Sequence, residues 1–174
     1  MTEPGKHLLL RAIVILPGTA LVFVPALILW WSAGTVYAGA LASAGGPAFW
    51  LALVLAAVGL TLMARTMALF ARVGRGTPAP WAPPERLVVA GVYRHLRNPM
   101  ISGVIAVLAS ETLMFQSLPL AAWAALFAAA NMVYIPLIEE PGLARRFSDD
   151  YRLYKNNVPR WLPRLMPWKA LDER

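Results

Sequence analysis

Two short stretches of this chain gather side chains able to do chemistry. The first is Gly91-Val-Tyr-Arg-His-Leu-Arg-Asn-Pro-Met-Ile-Ser-Gly103, and the second opens with Glu139-Glu140 and continues through Phe147, Tyr151 and Tyr154 to Val158-Pro-Arg-Trp-Leu-Pro163. Arg94, His95 and Arg97 offer positive charge, and Glu139 and Glu140 offer negative charge. Tyr93, Phe147, Tyr151 and Tyr154 offer stacking area and, for the tyrosines, hydroxyls. Asn98 and Pro99 read as the cap and first residue of a helix, whose exposed N–H groups favour an anion. Gly103, one turn in, leaves room for a ligand or a neighbouring helix to approach closely.

The elements that position these residues are apolar helices. A bilayer-spanning helix needs about 20 apolar residues, and four candidates occur, at residues 8–31, 47–71, 100–116 and 119–138. Pro17 and Pro25 predict kinks in the first. Only Ser117 and Leu118 separate the last two, and Pro119 opposes a single continuous helix, so a tight hairpin is expected. Glu140, Leu143, Phe147, Tyr151 and Tyr154 recur at three- and four-residue steps and predict an amphipathic helix in the tail. The expected fold is therefore all-α: one polytopic membrane domain with two N-terminal spans (1–71), a loop (72–99), a helical hairpin (100–138) and a capping tail (139–174).

Composition supports this reading. The chain is 59% hydrophobic and 14% charged, with mean hydropathy +0.56, against about 45–50% apolar and about 25% charged for soluble domains. Between Ala12 and Ala64 there is no Asp, Glu, Lys or Arg. The net charge of +7 sits beside apolar segments and on no nucleic-acid-binding module, so bilayer headgroups, not nucleic acid, are the expected partner. Five Arg lie in the central loop and eight Lys or Arg in the tail, while residues 32–46 and 117–118 hold none. That asymmetry predicts that both termini and the central loop are cytoplasmic. Without cysteine there is no thiolate metal site and no cysteine nucleophile.

Taken in order, the two stretches resemble the isoprenylcysteine carboxyl methyltransferase and phospholipid methyltransferase superfamily of integral membrane enzymes. The pattern is Gly-x-Tyr, Arg-Asn-Pro, a helix-start Gly, a hairpin, Glu-Glu, and a Phe…Tyr…Tyr…Val-Pro-Arg tail; it covers residues 88–163. The resemblance implies methyl transfer from S-adenosylmethionine to a membrane-dissolved acceptor: a prenylcysteine-like carboxylate, a phospholipid amine or another lipid or small nucleophile. It assigns Tyr93, Arg97, Asn98, Pro99, Gly103, Glu139, Glu140, Phe147, Tyr151 and Tyr154 to the cofactor, whose carboxylate, ammonium and adenine suit a cation, an anion and an aromatic slot.

The sequence departs from the pattern at Asn98, where relatives often carry His, and at Ile101, where Tyr is frequent. Those departures favour one rival, a non-catalytic protein on the same scaffold; a sterol-reductase-like enzyme using NADPH is another. Methyl transfer needs no metal. An ammonium acceptor must lose a proton, for which His95, Tyr93 and Glu111 are the available groups. His95 reads equally well as an exposed side chain. Glu111, an acid inside an apolar span, is either functional or close to the outer interface. Arg72, Arg75 and Arg86 read as topology and headgroup contacts, and at least one of Phe147, Tyr151 and Tyr154 as an interfacial anchor.

Overall fold

The computed structural model describes residues 14–74 and 86–169. The start of the first expected span, with Lys6 and Arg11, and much of the central loop, with Arg75 and its prolines, lie outside the described residues. Everything regular among the described residues is helical.

Val14–Phe23 winds in wide π-type turns around Pro17 and passes into α1, Val24–Ser32, at Pro25. Proline has no N–H to donate and crowds the carbonyl four residues back, so the change of helical pitch falls where the expected kinks do. α2, Pro47–Leu69, starts with proline directly after an extended Gly46 and runs on through a wider turn, Phe70–Gly74. A short 3-10 turn, Gly91–Arg94, precedes α3, Pro99–Phe115. At Gln116 the backbone is left-handed (φ 45°, ψ 42°), which ends α3. The Ser117 hydroxyl then accepts from Leu120 N–H and starts α4, Leu118–Tyr134. Pro136 sits in a π-type turn, Ile135–Glu139, that feeds without interruption into α5, Glu140–Asn157.

Two helices, Pro47–Arg72 and Leu118–Asn157, are long and apolar enough to cross a membrane; Pro17–Ser32 and Pro99–Phe115 are apolar but shorter. α3, at 17 residues, rises about 25 Å at 1.5 Å per residue, a little less than the ~30 Å hydrocarbon core. The helix of the fourth expected span thus runs on past Ile138, because the π-type turn absorbs Pro136, and is interrupted at Ser148 (φ 45°, ψ −120°) inside α5.

Packing follows residue size. α2 and α3 form the tightest seam, where Gly59 meets Gly103. A Cβ on Gly59 would stand 2.6 Å from the Gly103 carbonyl oxygen, and one on Gly103 2.8 Å from that of Gly59. Farther along, Ser110 Oγ donates to the Ala52 carbonyl (2.7 Å). On the other side of α3, Val104 and Leu108 bury against Ala20, Met63, Trp123 and Phe127, and the Trp123 indole N–H donates to the Ala20 carbonyl (3.0 Å). A second cluster of different composition sits at the opposite end of the seam, where α2 ends and α3 begins. It comprises Phe70, Val88, Tyr93, Tyr151, Tyr154 and Val158.

Candidate functional site

The second cluster brings the two chemically rich stretches together. Gly91 turns the chain with φ +51°, a conformation costly for residues with a Cβ, and that turn buries Tyr93 edge-on against Phe70 (ring centroids 5.8 Å). The Tyr154 hydroxyl donates to the Tyr93 carbonyl (2.8 Å), so α5 grips the 3-10 turn from above. Tyr151 and Tyr154 meet edge-on at 6.3 Å. Phe147 packs beside them, partly buried, with the Arg146 guanidinium 5.4 Å from its ring centre. Burial pushes the pKa of the Tyr93 phenol well above its ordinary value, reinforced by the charges of Tyr154 and Glu139. Tyr154 is also pushed up by burial, and so is Tyr151. All three stay neutral at physiological pH and act as hydrogen-bond donors or stacking surfaces.

Beside this aromatic floor lies a buried carboxylate held by three cations. Arg97 Nη1 lies 2.9 Å and Arg160 Nε 2.6 Å from Glu140 Oε1, and Lys155 Nζ lies 2.9 Å from Oε2. Glu140 is 3% exposed and Arg97 10%. Burial alone would raise the Glu140 carboxyl, but the hydrogen bond from Arg160, the ion pair with Lys155 and the charges of Arg97 and Arg160 hold it below the usual range. Its neighbour Glu139 goes the other way, raised by burial and then by the charge of Glu140. Arg97 Nε, buried, meets no acceptor in hydrogen-bond geometry among the described residues. The cluster holds three cations and one depressed carboxylate, a positive surplus that remains even with Glu139 counted beside it.

Segment 158–168 straps this site to the loop before α3. Arg97 N–H donates to the Pro159 carbonyl (3.0 Å), Arg164 N–H to that of His95 (3.0 Å), and Trp168 N–H to that of Arg94 (2.9 Å). Arg94 Nε returns a bond to the Trp168 carbonyl (2.6 Å), and Trp168 lies over Tyr154 with ring centres 6.0 Å apart. His95 Nδ1 lies 2.8 Å from the Arg164 carbonyl. A carbonyl only accepts, so Nδ1 carries the proton, and in neutral His95 the lone pair is on Nε2.

Of the residues singled out from sequence, the structure gathers Tyr93, Arg97, Glu139, Glu140, Phe147, Tyr151 and Tyr154 around one end of the bundle. His95 joins through the strap. Asn98 precedes α3 as expected, but its side chain makes no capping hydrogen bond; Pro99 is fully buried at the first helical position. Gly103 is taken up by the seam with Gly59, the helix-packing use of its small size. Glu111 stands apart: it is roughly 18 Å along α3 from Pro99, with Oε2 buried and without a hydrogen-bond partner among the described residues, so the structure does not bring it to Tyr93 or Arg97. Lys155, Arg160, Arg164 and Trp168 were not singled out as site residues. Lys155 lies off the aromatic stripe of α5, and the others follow the helix end at Val158, where no periodicity predicts which side chains fold back.

The sequence profile of the phospholipid methyltransferase family matches residues 47–150. A phosphatidylethanolamine N-methyltransferase of Zygosaccharomyces rouxii is 30% identical over 94 residues, an overlap that is 53% of this chain and 11% of that protein. The family match takes in more than half of the chain, which belongs to the phospholipid methyltransferase family.

Proposed function

We propose that this member of the phospholipid methyltransferase family transfers a methyl group from S-adenosylmethionine to a lipid acceptor dissolved in the bilayer. The observation that carries the reading is the buried Glu140 cluster, in which Arg97 from the motif loop meets Lys155 and Arg160 from the tail. Its surplus positive charge, with one Arg97 donor unspent, fits the carboxylate of the cofactor. Glu139 suits the ammonium, and the Tyr93–Tyr151–Tyr154 floor suits the adenine. When bound, the cofactor supplies an electrophilic methyl carbon for in-line displacement. The protein's part is to hold both reactants and exclude water.

The curated relative's name points to a phospholipid amine as the first acceptor to test. An ammonium must shed its proton before it attacks. Tyr93, held neutral by burial, orients by donating a hydrogen bond. His95 Nε2 is the acceptor available near the strap, and the distance along α3 leaves Glu111 out of that step. In this reading Pro17–Ser32 and Pro99–Phe115 also cross the bilayer, so four spans put both termini and the site on the cytoplasmic side, following the basic residues. The α3–α4 hairpin and an amphipathic α5 then cap the cytoplasmic mouth.

The test supplies methyl-labelled S-adenosylmethionine with phosphatidylethanolamine vesicles, with total membrane lipid, and with water-soluble thiols and amines. Label in lipid is expected. Label in none of them, together with NADPH binding, would replace this reading with a reductase; label only in water-soluble products would keep methyl transfer and remove the lipid acceptor.

A further inference from the structure

The strap of residues 158–168 has its polarity reversed. Val158 and Trp168 pack in the aromatic cluster, and between them the inward anchors are polar. Arg160 reaches Glu140, the Arg164 guanidinium donates to the Asn157 carbonyl, and the Arg164 and Trp168 N–H groups close onto the motif loop. Between these anchors Leu162, Leu165 and Met166 turn outward, 80%, 98% and 78% exposed. Single exposed apolar side chains need no explanation. Large ones gathered in one short segment outside the expected spans form a patch that water does not favour. Pro163 and Pro167 interrupt the segment, which forms neither helix nor strand, so no regular element of its own buries them.

The level of the patch and its surroundings point to what covers it. Trp168 packs on the cluster of Phe70, Tyr93 and Tyr154. Phe70 lies in the last turn of the apolar Pro47–Arg72 helix, where a span leaves the hydrocarbon for the headgroups. At this end α5 and the tail expose Arg145, Arg146, Arg152, Lys155 and Lys169, against Asp149 and Asp150. An apolar patch beside a cationic excess suits a membrane surface: aliphatic side chains enter the acyl boundary while the cations meet anionic headgroups. A soluble partner would have to displace headgroups to reach it.

We propose that Leu162, Leu165 and Met166 insert into the leaflet on the site's side of the bilayer, among anionic headgroups drawn in by those cations, and that the lipid surface thereby holds the strap against the motif loop. The Arg97, Arg164 and Trp168 N–H bonds tie the two segments together. A strap released from lipid therefore loosens Arg97 and Arg160, two of the cations on Glu140. Order in the site then depends on the composition of the membrane. The inference rests on the proposed bilayer placement of the helices and not on methyl transfer.

The chain has no cysteine, so Leu165→Cys, Leu126→Cys and Asp149→Cys each carry a single nitroxide in protein reconstituted into phosphatidylcholine–phosphatidylglycerol vesicles. Collisions with oxygen, which concentrates among acyl chains, and with a water-soluble nickel chelate report depth. Leu126, exposed on α4, is the lipid reference, and Asp149, exposed on α5, the water reference. The label at Leu165 should follow that at Leu126. If it follows Asp149 while Leu126 lies in lipid, the inference is overturned and the bilayer placement stands. Few collisions with either reagent would mean that a second copy or another protein covers the patch, which also overturns it. A label at Leu126 that meets the nickel chelate would remove the bilayer placement and the inference with it. A second measurement follows amide exchange on the same vesicles. Combining Leu162→Ser, Leu165→Ser and Met166→Ser, or omitting phosphatidylglycerol, should speed exchange at Arg97, Arg164 and Trp168 about tenfold and leave the interior of α3 unchanged. Equal exchange in all samples would show that lipid does not hold the strap.

Discussion

The α2–α3 seam and the Glu140 cluster lie at neighbouring heights of the same bundle yet are built on opposite principles. The seam has no charge: Gly59 and Gly103 bring two backbones together, and the Ser110 hydroxyl closes onto a carbonyl. Its stability comes from close contact over small residues, the means by which helices associate where lipid removes the hydrophobic drive. The cluster spends three cations on one buried carboxylate, an arrangement that apolar residues of equal volume would often match or better in stability. A protein that needed only to hold its helices together could extend the seam. The costlier construction at the end where α3 begins accords with the proposed ligand site, and the segment 158–168 ties Arg97 and Arg160 to the same end.

Substitutions sharpen that contrast in decreasing order of effect. Glu140→Ala should cost about 3–5 kcal/mol, because it leaves three cations, one of them nearly buried, without their anion; thermal unfolding in detergent measures it. Gly103→Ala should cost about 1–3 kcal/mol by overpacking, since the new Cβ meets the Gly59 carbonyl rather than a movable side chain. S-adenosylhomocysteine affinity should follow Glu140 and be spared in folded Gly103→Ala protein. If Gly103→Ala were neutral in stability and abolished binding, the division between seam and site would fail.

The kink in α5 gives a smaller effect of opposite sign. Ser148 sits at φ 45°, ψ −120° between the two halves of the helix, a backbone that favours glycine. Ser148→Gly should stabilise by about 1 kcal/mol, the low end of the strain such residues store, visible as a higher melting temperature.

The two adjacent acids should differ in pH dependence. Glu140, depressed in the folded protein, contributes stability that is present above its unfolded value of about 4.3 and lost as pH falls through its folded value. Glu139, raised, works in the other direction: it favours the fold below about pH 4.3 and loses that contribution as pH rises through its folded value. Glu139→Gln should therefore raise the melting temperature at pH 7 and leave it nearly unchanged at pH 4. A fall at pH 7 would mean that the Glu139 charge is paired, not tolerated.

Much of this architecture was legible from residue order. Asn98-Pro99 marked the start of α3, Pro47 that of α2, and the three- and four-residue spacing of Glu140, Phe147, Tyr151 and Tyr154 placed them beside one another. The Arg97–Glu140 contact could be anticipated only through the resemblance, since 43 residues separate the pair. The apolar run of the fourth span ends at Ile138, but the helix does not: the π-type turn at Pro136 carries it on into α5. Lys155 was missed because it lies off the aromatic stripe of α5, and the roles of Arg160 and Trp168 because their positions depend on how the chain folds back after Val158. Glu111 drew notice as an acid in an apolar span, and only the length of α3 separates it from the chemistry.

Calorimetry of S-adenosylhomocysteine with wild type and Arg97→Ala tests the central claim most directly. Arg97 is predicted to give the ligand carboxylate a charge-assisted hydrogen bond of about 1.5–3 kcal/mol, so Arg97→Ala should bind roughly ten- to a hundredfold more weakly while remaining folded. Equal affinity for both proteins would contradict the account and leave the Glu140 cluster as a structural ion network alone.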